Sequence, residues 1–357
     1  TDLAESLAVS RANRLVDFAE RGGAPDGVVR FGIRRLLRRR LEELAAADLE
    51  AAAAQTEAFV ASMRAAAVAP FPARANEQHY ALPPALLAAA LGPRRKYSCC
   101  YWPPGVTTLG AAEEAALAAT CERAELGDGQ RILELGCGWG SLTLFAAERY
   151  PHAHITAVTN SREQHEHVAR QAAARGLANV RLIIADMNVF EAGTQFDRVV
   201  SVEMFEHMRN WELLFGRVAS WLRDGGKFFM HVFCHRSTPY EFIDAGPADW
   251  MSRHFFTGGM MPSDDLPLRF QQHLAVERRW RWSGVHYAKT AEAWLANFDT
   301  HEAELRPVLA EAYGTPHAEQ WRQRWRMFFM ACAELFGHAN GQEWHVGHYR
   351  FTRAARP

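Results

Sequence analysis

The segment from Arg131 to Asn160, RILELGCGWGSLTLFAAERYPHAHITAVTN, restricts the choice of fold more than any other part of the chain. A short apolar run, Ile132-Leu133-Glu134-Leu135, stops at Gly136-Cys137-Gly138-Trp139-Gly140. An amphipathic helical pattern follows, and a β-branched run closes it at Ile155 to Val158. This is the pattern of strand, glycine turn, helix and strand. The glycines let backbone approach a ligand where a helix N-terminus offers unpaired N–H groups, so a nucleotide-like or anionic group is expected there. The bland alternative is a tight turn with no ligand.

The spacing is G-x-G-x-G after Glu134, not the G-x-G-x-x-G that cradles a dinucleotide pyrophosphate. The second strand ends in Val158-Thr159-Asn160, with no carboxylate for a nicotinamide cofactor's ribose. A ligand without a pyrophosphate fits better. The turn resembles motif I of the S-adenosylmethionine-dependent methyltransferases, whose ligand carries an amino acid, a sulfonium, a ribose and adenine.

With 357 residues, 48% apolar and 23% charged, the chain suffices for two domains or one α/β domain with an extension. A net charge of -1 and a pI near 7.0 argue against bulk attraction to nucleic acid or to anionic lipid. There is no long apolar run, and the start lacks the apolar stretch of a secretory signal, so a soluble cytoplasmic protein is expected. Cys99, Cys100, Cys121, Cys137, Cys234 and Cys332 form no C-x-x-C pair and read as reduced thiols. His165 and His167 lack the spacing of a helical zinc pair, and no metal is expected.

Residues 1–70 read as a helical N-terminal extension, with Phe31, Leu36, Leu37, Leu41 and Leu44 at near-helical spacing. FGIRRLLRRR, Phe31 to Arg40, reads as a helix with a solvated basic face; contact with an anionic membrane is the lesser reading. Residues 71–357 form the second unit. It opens with a proline-bounded loop, Ala75 to Gly105, in which His79, Tyr80, Tyr97 and Tyr101 are read as half-buried packing. A capping box is expected at Ser161 and Gln164. Further strands are expected at Val180 to Asp186, Phe196 to Val202 and Lys227 to Phe233. Strands alternating with helices imply an α/β fold: a doubly wound, mostly parallel sheet with ligands at the carboxyl ends of its strands. An aromatic insertion after the fifth strand, residues 234–273, is placed to wall a substrate pocket. Leu274 to Trp282 and Gln342 to Phe351 return as strands.

The fourth strand runs into Glu203-Met204-Phe205-Glu206-His207. If a helical turn starts there, Glu203, Glu206 and His207 share one face and project toward the ligand crevice. Their proximity would raise one carboxyl pKa or hold the histidine protonated. The alternative is a pair of acids complementing a helix dipole.

YSCCYW (Tyr97 to Trp102), ELGCGWGS (Glu134 to Ser141), AVTNSREQ (Ala157 to Gln164), FDRVVSVEMFEHM (Phe196 to Met208), GGMMPS (Gly258 to Ser263) and HYAKT (His286 to Thr290) resemble the cyclopropane-fatty-acid synthase superfamily. ANEQHY (Ala75 to Tyr80), EMFEHM, FCH (Phe233 to His235) and AELFGHANGQEW (Ala333 to Trp344) look more like its plant coclaurine N-methyltransferase branch. The resemblance implies a class I, Rossmann-like methyltransferase with S-adenosylmethionine as cofactor. It puts the methionine part against Gly136, Gly138, Gly140, Tyr97 and Ser98, the ribose near Thr159, Asn160 and Gln164, and adenine against Asp186 and Met187. It makes Glu203, Glu206 and His207 the catalytic group. In the lipid-modifying branch it assigns a bicarbonate ion to the residues matching Cys99, Glu206, His231 and Tyr287. Glu203 is the departure, since the lipid enzymes usually carry glycine there.

The expected function is therefore methyl transfer to an amine on a hydrophobic, aromatic small molecule, because an acid pair can bind an ammonium and take its proton before in-line attack. C-methylation or cyclopropanation of unsaturated lipid, with bicarbonate, is the alternative. An inactive scaffold on the same fold is a third reading, and a homodimer is left open.

Overall fold

The computed structural model describes residues 14–70, 83–246 and 249–354. Helix α1 (residues 14–20) is followed by α2 (Asp26–Leu44), α3 (Leu49–Ala65), α4 (Pro84–Ala90) and α5 (Leu109–Arg123). The alternating region then runs β1 (Arg131–Leu135), α6 (Ser141–Arg149), β2 (His154–Thr159), α7 (Arg162–Ala174), β3 (Val180–Ile184), β4 (Phe196–Val202), α8 (Trp211–Trp221) and β5 (Leu222–His235). Within the insertion lie β6 (Tyr240–Glu241), α9 (Trp250–His254) and β7 (Met260–Met261). After it come β8 (Leu274–Trp282), α10 (Gly284–Thr300), α11 (Glu302–Tyr313), α12 (Ala318–Gly337) and β9 (Trp344–Arg353).

The main sheet has seven strands in the order β3-β2-β1-β4-β5-β9-β8. β1 to β5 are parallel, while β9 runs antiparallel between β5 and β8. The order reverses between β1 and β4, so the crevice of a doubly wound sheet opens at their carboxyl ends, as expected. Two boundaries differ from the sequence reading. β3 stops at Ile184, leaving Asp186 in the following turn. β5 starts at Leu222 and carries the Asp224-Gly225-Gly226 turn within it, where the register against β4 shifts. α10 begins at Gly284, which puts Tyr287 on its first turn.

The inner stripe of α2, Val29, Ile33, Leu37 and Leu41, packs on the cluster around α10 to α12. Its arginines pair with acids far along the chain: Arg30 with Glu292 and Glu334, Arg34 with Glu334, and Arg40 with Asp249. Glu20 accepts from Trp250 Nε1 at 2.7 Å and Arg324 Nη2 at 2.8 Å, tying α1 to the insertion and to α12. Among the described residues no helix is long and apolar enough to cross a membrane.

Gly284 leaves no room for a side chain, since a Cβ there would lie 2.1 Å from the Trp344 carbonyl oxygen and 2.2 Å from that of Phe336. Both neighbours are backbone and cannot swing aside. Gly284→Ala is expected to cost about 3 kcal/mol of stability, read as a lower denaturant midpoint.

Candidate active site

Two adjoining cavities open where β1 to β4 end. The larger, about 170 Å³, is bordered by Tyr97, Ser98, Gly136, Gly138, Glu203 and His207, and walled by Phe233, Phe242, Phe256, Tyr287, Trp294 and Phe328. The smaller, about 60 Å³, is bordered by Thr159, Asn160, Asp186 and Met187. Gly136, Gly138, Gln164 and His207 border both, so an elongated ligand would run past the glycine turn from one to the other. The insertion supplies Phe242, Met251, Phe256 and Met261 to the wall. Trp325 and Phe329, by contrast, are core.

The three glycines do different work. All have positive φ, at 73°, 54° and 80° for Gly136, Gly138 and Gly140. A Cβ on Gly136 would meet the Met204 side chain at 2.9 Å, and one on Gly140 would meet Val168 at 2.6 Å. At Gly138 a Cβ meets nothing within 4 Å, so it would point into the space a ligand needs. Gly140 borders neither cavity. The expectation that it touches cofactor is corrected: it caps α6 and lets α7 pack closely.

The expected capping box at Ser161 is half formed. Ser161 Oγ accepts from the Gln164 N–H at 3.3 Å, but the Gln164 side chain turns back to the strand, where Oε1 accepts from Thr159 Oγ1 at 2.7 Å. Its Nε2 is left facing the cavities. Gln164 Nε2, Ser141 Oγ, Trp139 Nε1 and Arg95 Nη1 are buried and have no hydrogen-bond partner among the described residues, and all four residues border the larger cavity beside Gly138. Buried donors need acceptors. A zwitterionic amino-acid end with a carboxylate satisfies this set, and the second cavity, with Asp186 and Met187, offers the matching place for a nucleoside. The residues present therefore fit S-adenosylmethionine.

Across the larger cavity stands Glu203. It is one of five non-glycine residues with positive φ among those described, and with Arg95 one of two that border this cavity. Such strain persists only where surroundings impose it. Here they do so through the carboxylate: Oε1 accepts from the Cys99 N–H at 2.9 Å and meets His231 Nε2 at 3.1 Å, while Oε2 accepts from Tyr287 Oη at 2.7 Å. Burial raises the Glu203 pKa above the ordinary carboxylate range, opposed by the buried Lys96 ammonium and these hydrogen bonds. Lys96 Nζ donates to Ser98 Oγ at 2.5 Å and to the Cys99 carbonyl at 2.7 Å, stiffening the loop that holds Glu203.

The shared helical face expected for Glu203, Glu206 and His207 does not form. Glu203 precedes the turn, which is a short 3-10 segment, Phe205–His207. Glu206 points behind the cavity wall, where its Oε1 accepts from the Phe233 N–H at 2.8 Å; burial and then Glu203 raise its pKa well above the usual range. His207 does border both cavities and packs its ring 4.7 Å from Phe256. Burial lowers its pKa to about 4, so it is neutral at pH 7; of the two outcomes expected for this group, a raised carboxyl pKa and a protonated histidine, the first is found. Of the residues matched to a bicarbonate site, Cys99, His231 and Tyr287 converge, and Glu206 does not join them. His79 and Tyr80 lie outside the described residues.

Sequence reasoning missed Lys96, Arg95, Trp139 and Ser141. Nothing in Arg94-Arg95-Lys96 distinguishes a buried ammonium from its solvated neighbour. All six cysteines are free thiols. Cys234, Asp264 and His345 lie close enough to hold an ion, but the Arg281 guanidinium already engages both Asp264 oxygens and supplies the positive charge a cation would, and His345 Nε2 lies 3.1 Å from Oδ1.

Residues 71–346 match the family model for mycolic acid cyclopropane synthetase. The chain belongs to that family. Within it, the chain is 35% identical to (S)-coclaurine N-methyltransferase of Thalictrum flavum subsp. glaucum over 94% of both chains. It is 31% identical to the cyclopropane-fatty-acyl-phospholipid synthase of Escherichia coli (strain K12), over 76% of this chain and 66% of that protein. A crystal structure of coclaurine N-methyltransferase bound to N-methylheliamine and SAH superposes with a TM-score of 0.92 at 34% identity, covering 95% of this chain and 99% of that one. The mycobacterial cyclopropane synthase MmaA2 shares the fold at a TM-score of 0.65. This member of the family is an S-adenosylmethionine-dependent methyltransferase.

Proposed function

We propose that the enzyme methylates the nitrogen of an amine carried on a hydrophobic, aromatic small molecule. The observation that carries this reading is the Glu203 carboxylate, held by the Cys99 N–H, the Tyr287 hydroxyl and His231 Nε2 on the floor of an aromatic chamber. Lys96 acts on this carboxylate only at longer range, and among the described residues no Lys or Arg forms an ion pair with it; a substrate ammonium supplies that direct contact. The aromatic faces around it add cation–π attraction.

S-adenosylmethionine, when bound, supplies an electrophilic methyl carbon. Arg95, Trp139, Ser141 and Gln164 would hold its amino-acid end, and Asp186 and Met187 its adenine. Glu203 orients the amine and, because burial raises its pKa, accepts the proton that must leave before the nitrogen lone pair can attack. Neutral His207 borders both cavities, and its low basicity leaves Glu203 as the acceptor. Glu206 supports the wall from behind. The walls exclude water and fix the line of approach.

The lipid alternative needs bicarbonate. Cys99, His231 and Tyr287, the groups that would hold that ion, are already engaged by Glu203 oxygens, and an ionised glutamate facing an acyl chain would meet no cation on the substrate. Incubation with methyl-labelled cofactor and a mixed panel of tetrahydroisoquinoline-like amines and unsaturated phospholipids tests the choice. Label is expected in the amine fraction; label in lipid alone overturns the proposal.

A pH prediction follows from the same geometry. The ionised form of Glu203 binds the ammonium, and its pKa is raised, so kcat/KM for the amine is expected to fall with decreasing pH sooner than an ordinary carboxylate would dictate. His207, at about 4, adds no limb near neutrality. The limb should persist in His207→Gln and vanish in Glu203→Gln.

A further inference from the structure

We propose that Arg123, acting through His348, locks His231 as the Nε2–H tautomer and so fixes the Glu203 carboxylate in its place; the catalytic consequence rests on the amine reading above. The observation is a chain of hydrogen bonds through the sheet. Arg123 Nη1 lies 2.6 Å from His348 Nδ1, His348 Nε2 lies 2.9 Å from His231 Nδ1, and His231 Nε2 lies 3.1 Å from Glu203 Oε1.

The direction of this chain is determined by its first member. A guanidinium has only donors, so His348 Nδ1 must accept. A neutral imidazole that accepts at one nitrogen carries its proton on the other, so His348 Nε2–H donates to His231 Nδ1. By the same rule His231 Nε2–H donates to Glu203.

Both imidazoles are buried, which disfavours their charged forms; Lys96 and Arg123 act in the same direction on each. The sheet makes the link possible. His231 on β5 and His348 on β9 are direct cross-strand partners, so their side chains share one face. Around them stand Trp282, 4.3 Å from the His348 ring and 5.7 Å from that of His231, and Phe229, 5.2 Å from His348. These rings offer no competing acceptor. The charged groups that face the pair are Lys96, Arg123 and Glu203.

The lock matters because the opposite tautomer would aim a lone pair at the carboxylate. Glu203 would then lose one of its three donors and face repulsion instead. Arg123 and His348 touch no substrate and are positioning residues.

The test is histidine-labelled nitrogen–proton correlation NMR of the intact protein, together with amine kinetics and calorimetry with S-adenosylhomocysteine. In the wild type, His231 should show its proton on Nε2 and a bare Nδ1. Arg123→Met, which keeps the stem and removes the donors, should give a mixture of tautomers and raise the amine KM about tenfold or more, the worth of one hydrogen bond to a charged group, with product affinity unchanged. Arg123→Lys, which still donates, should restore both readouts. His348→Phe should reproduce Arg123→Met. A wild-type His231 protonated on Nδ1, or an Arg123→Met protein with unaltered tautomer, would overturn the inference. Equal loss of amine and product binding would also overturn it, by showing a merely structural role. The tautomer readout needs no substrate, so it stands apart from failure of the amine reading itself.

Discussion

Glu203→Gln is expected to lower kcat/KM for the amine by about 10²- to 10³-fold while leaving S-adenosylhomocysteine affinity within about threefold, since removing one partner of a buried charge pair costs roughly 2–5 kcal/mol. Two losses combine. The negative charge that binds the ammonium is gone, and an amide presents an NH₂ to a pocket whose groups, the Cys99 N–H, His231 Nε2 and Tyr287 Oη, converge on carboxylate oxygens. One amide oxygen cannot serve both sides. Steady-state kinetics over a range of amine concentrations, with calorimetry of the product cofactor, separates this from general damage. If amine kinetics stay unchanged, the carboxylate does not meet the substrate and the chemical reading fails. Equal loss of both ligands would mean that Glu203 only braces the fold.

Gly138→Val is expected to abolish cofactor binding, a loss of about 100-fold or more in affinity. The backbone at Gly138 has φ 54°, where a β-branched residue is strained. Its new side chain would also enter the space shared by both cavities, because beyond its two chain neighbours no described residue has an atom within 4 Å of where the Cβ would be. That open neighbourhood separates Gly138 from Gly140, whose substitution would clash with Val168 and damage packing instead. Calorimetry with S-adenosylhomocysteine, beside a circular dichroism check of folding, measures it. A folded Gly138→Val protein that still binds would move the cofactor away from this turn.

The parts of the molecule legible in the sequence are those written in short-range pattern. Apolar runs of strand length and the glycines at Gly136 and Gly138 are local signals, set by steric rules that act within a few residues. They suffice to place β1, β2 and β4, the switch point between β1 and β4, and Glu203 at the edge where ligands bind. The ends of β3 and β5 were less legible, because a strand stops where its neighbour stops pairing, and that neighbour is remote in the chain.

What the sequence by itself determined was the sheet, the turn and the presence of an acid at the right strand end. Only the tertiary structure decided what that acid touches. Glu203 gathers partners from positions 99, 231 and 287, brought together by a loop, a neighbouring strand and the first turn of a late helix. It also separates Glu206, turned against the backbone of β5, from His207, left neutral by burial. Orientation and desolvation are properties of the packed whole: a carboxylate's partners and its proton depend on which surfaces close around it, and adjacency along the chain does not encode that.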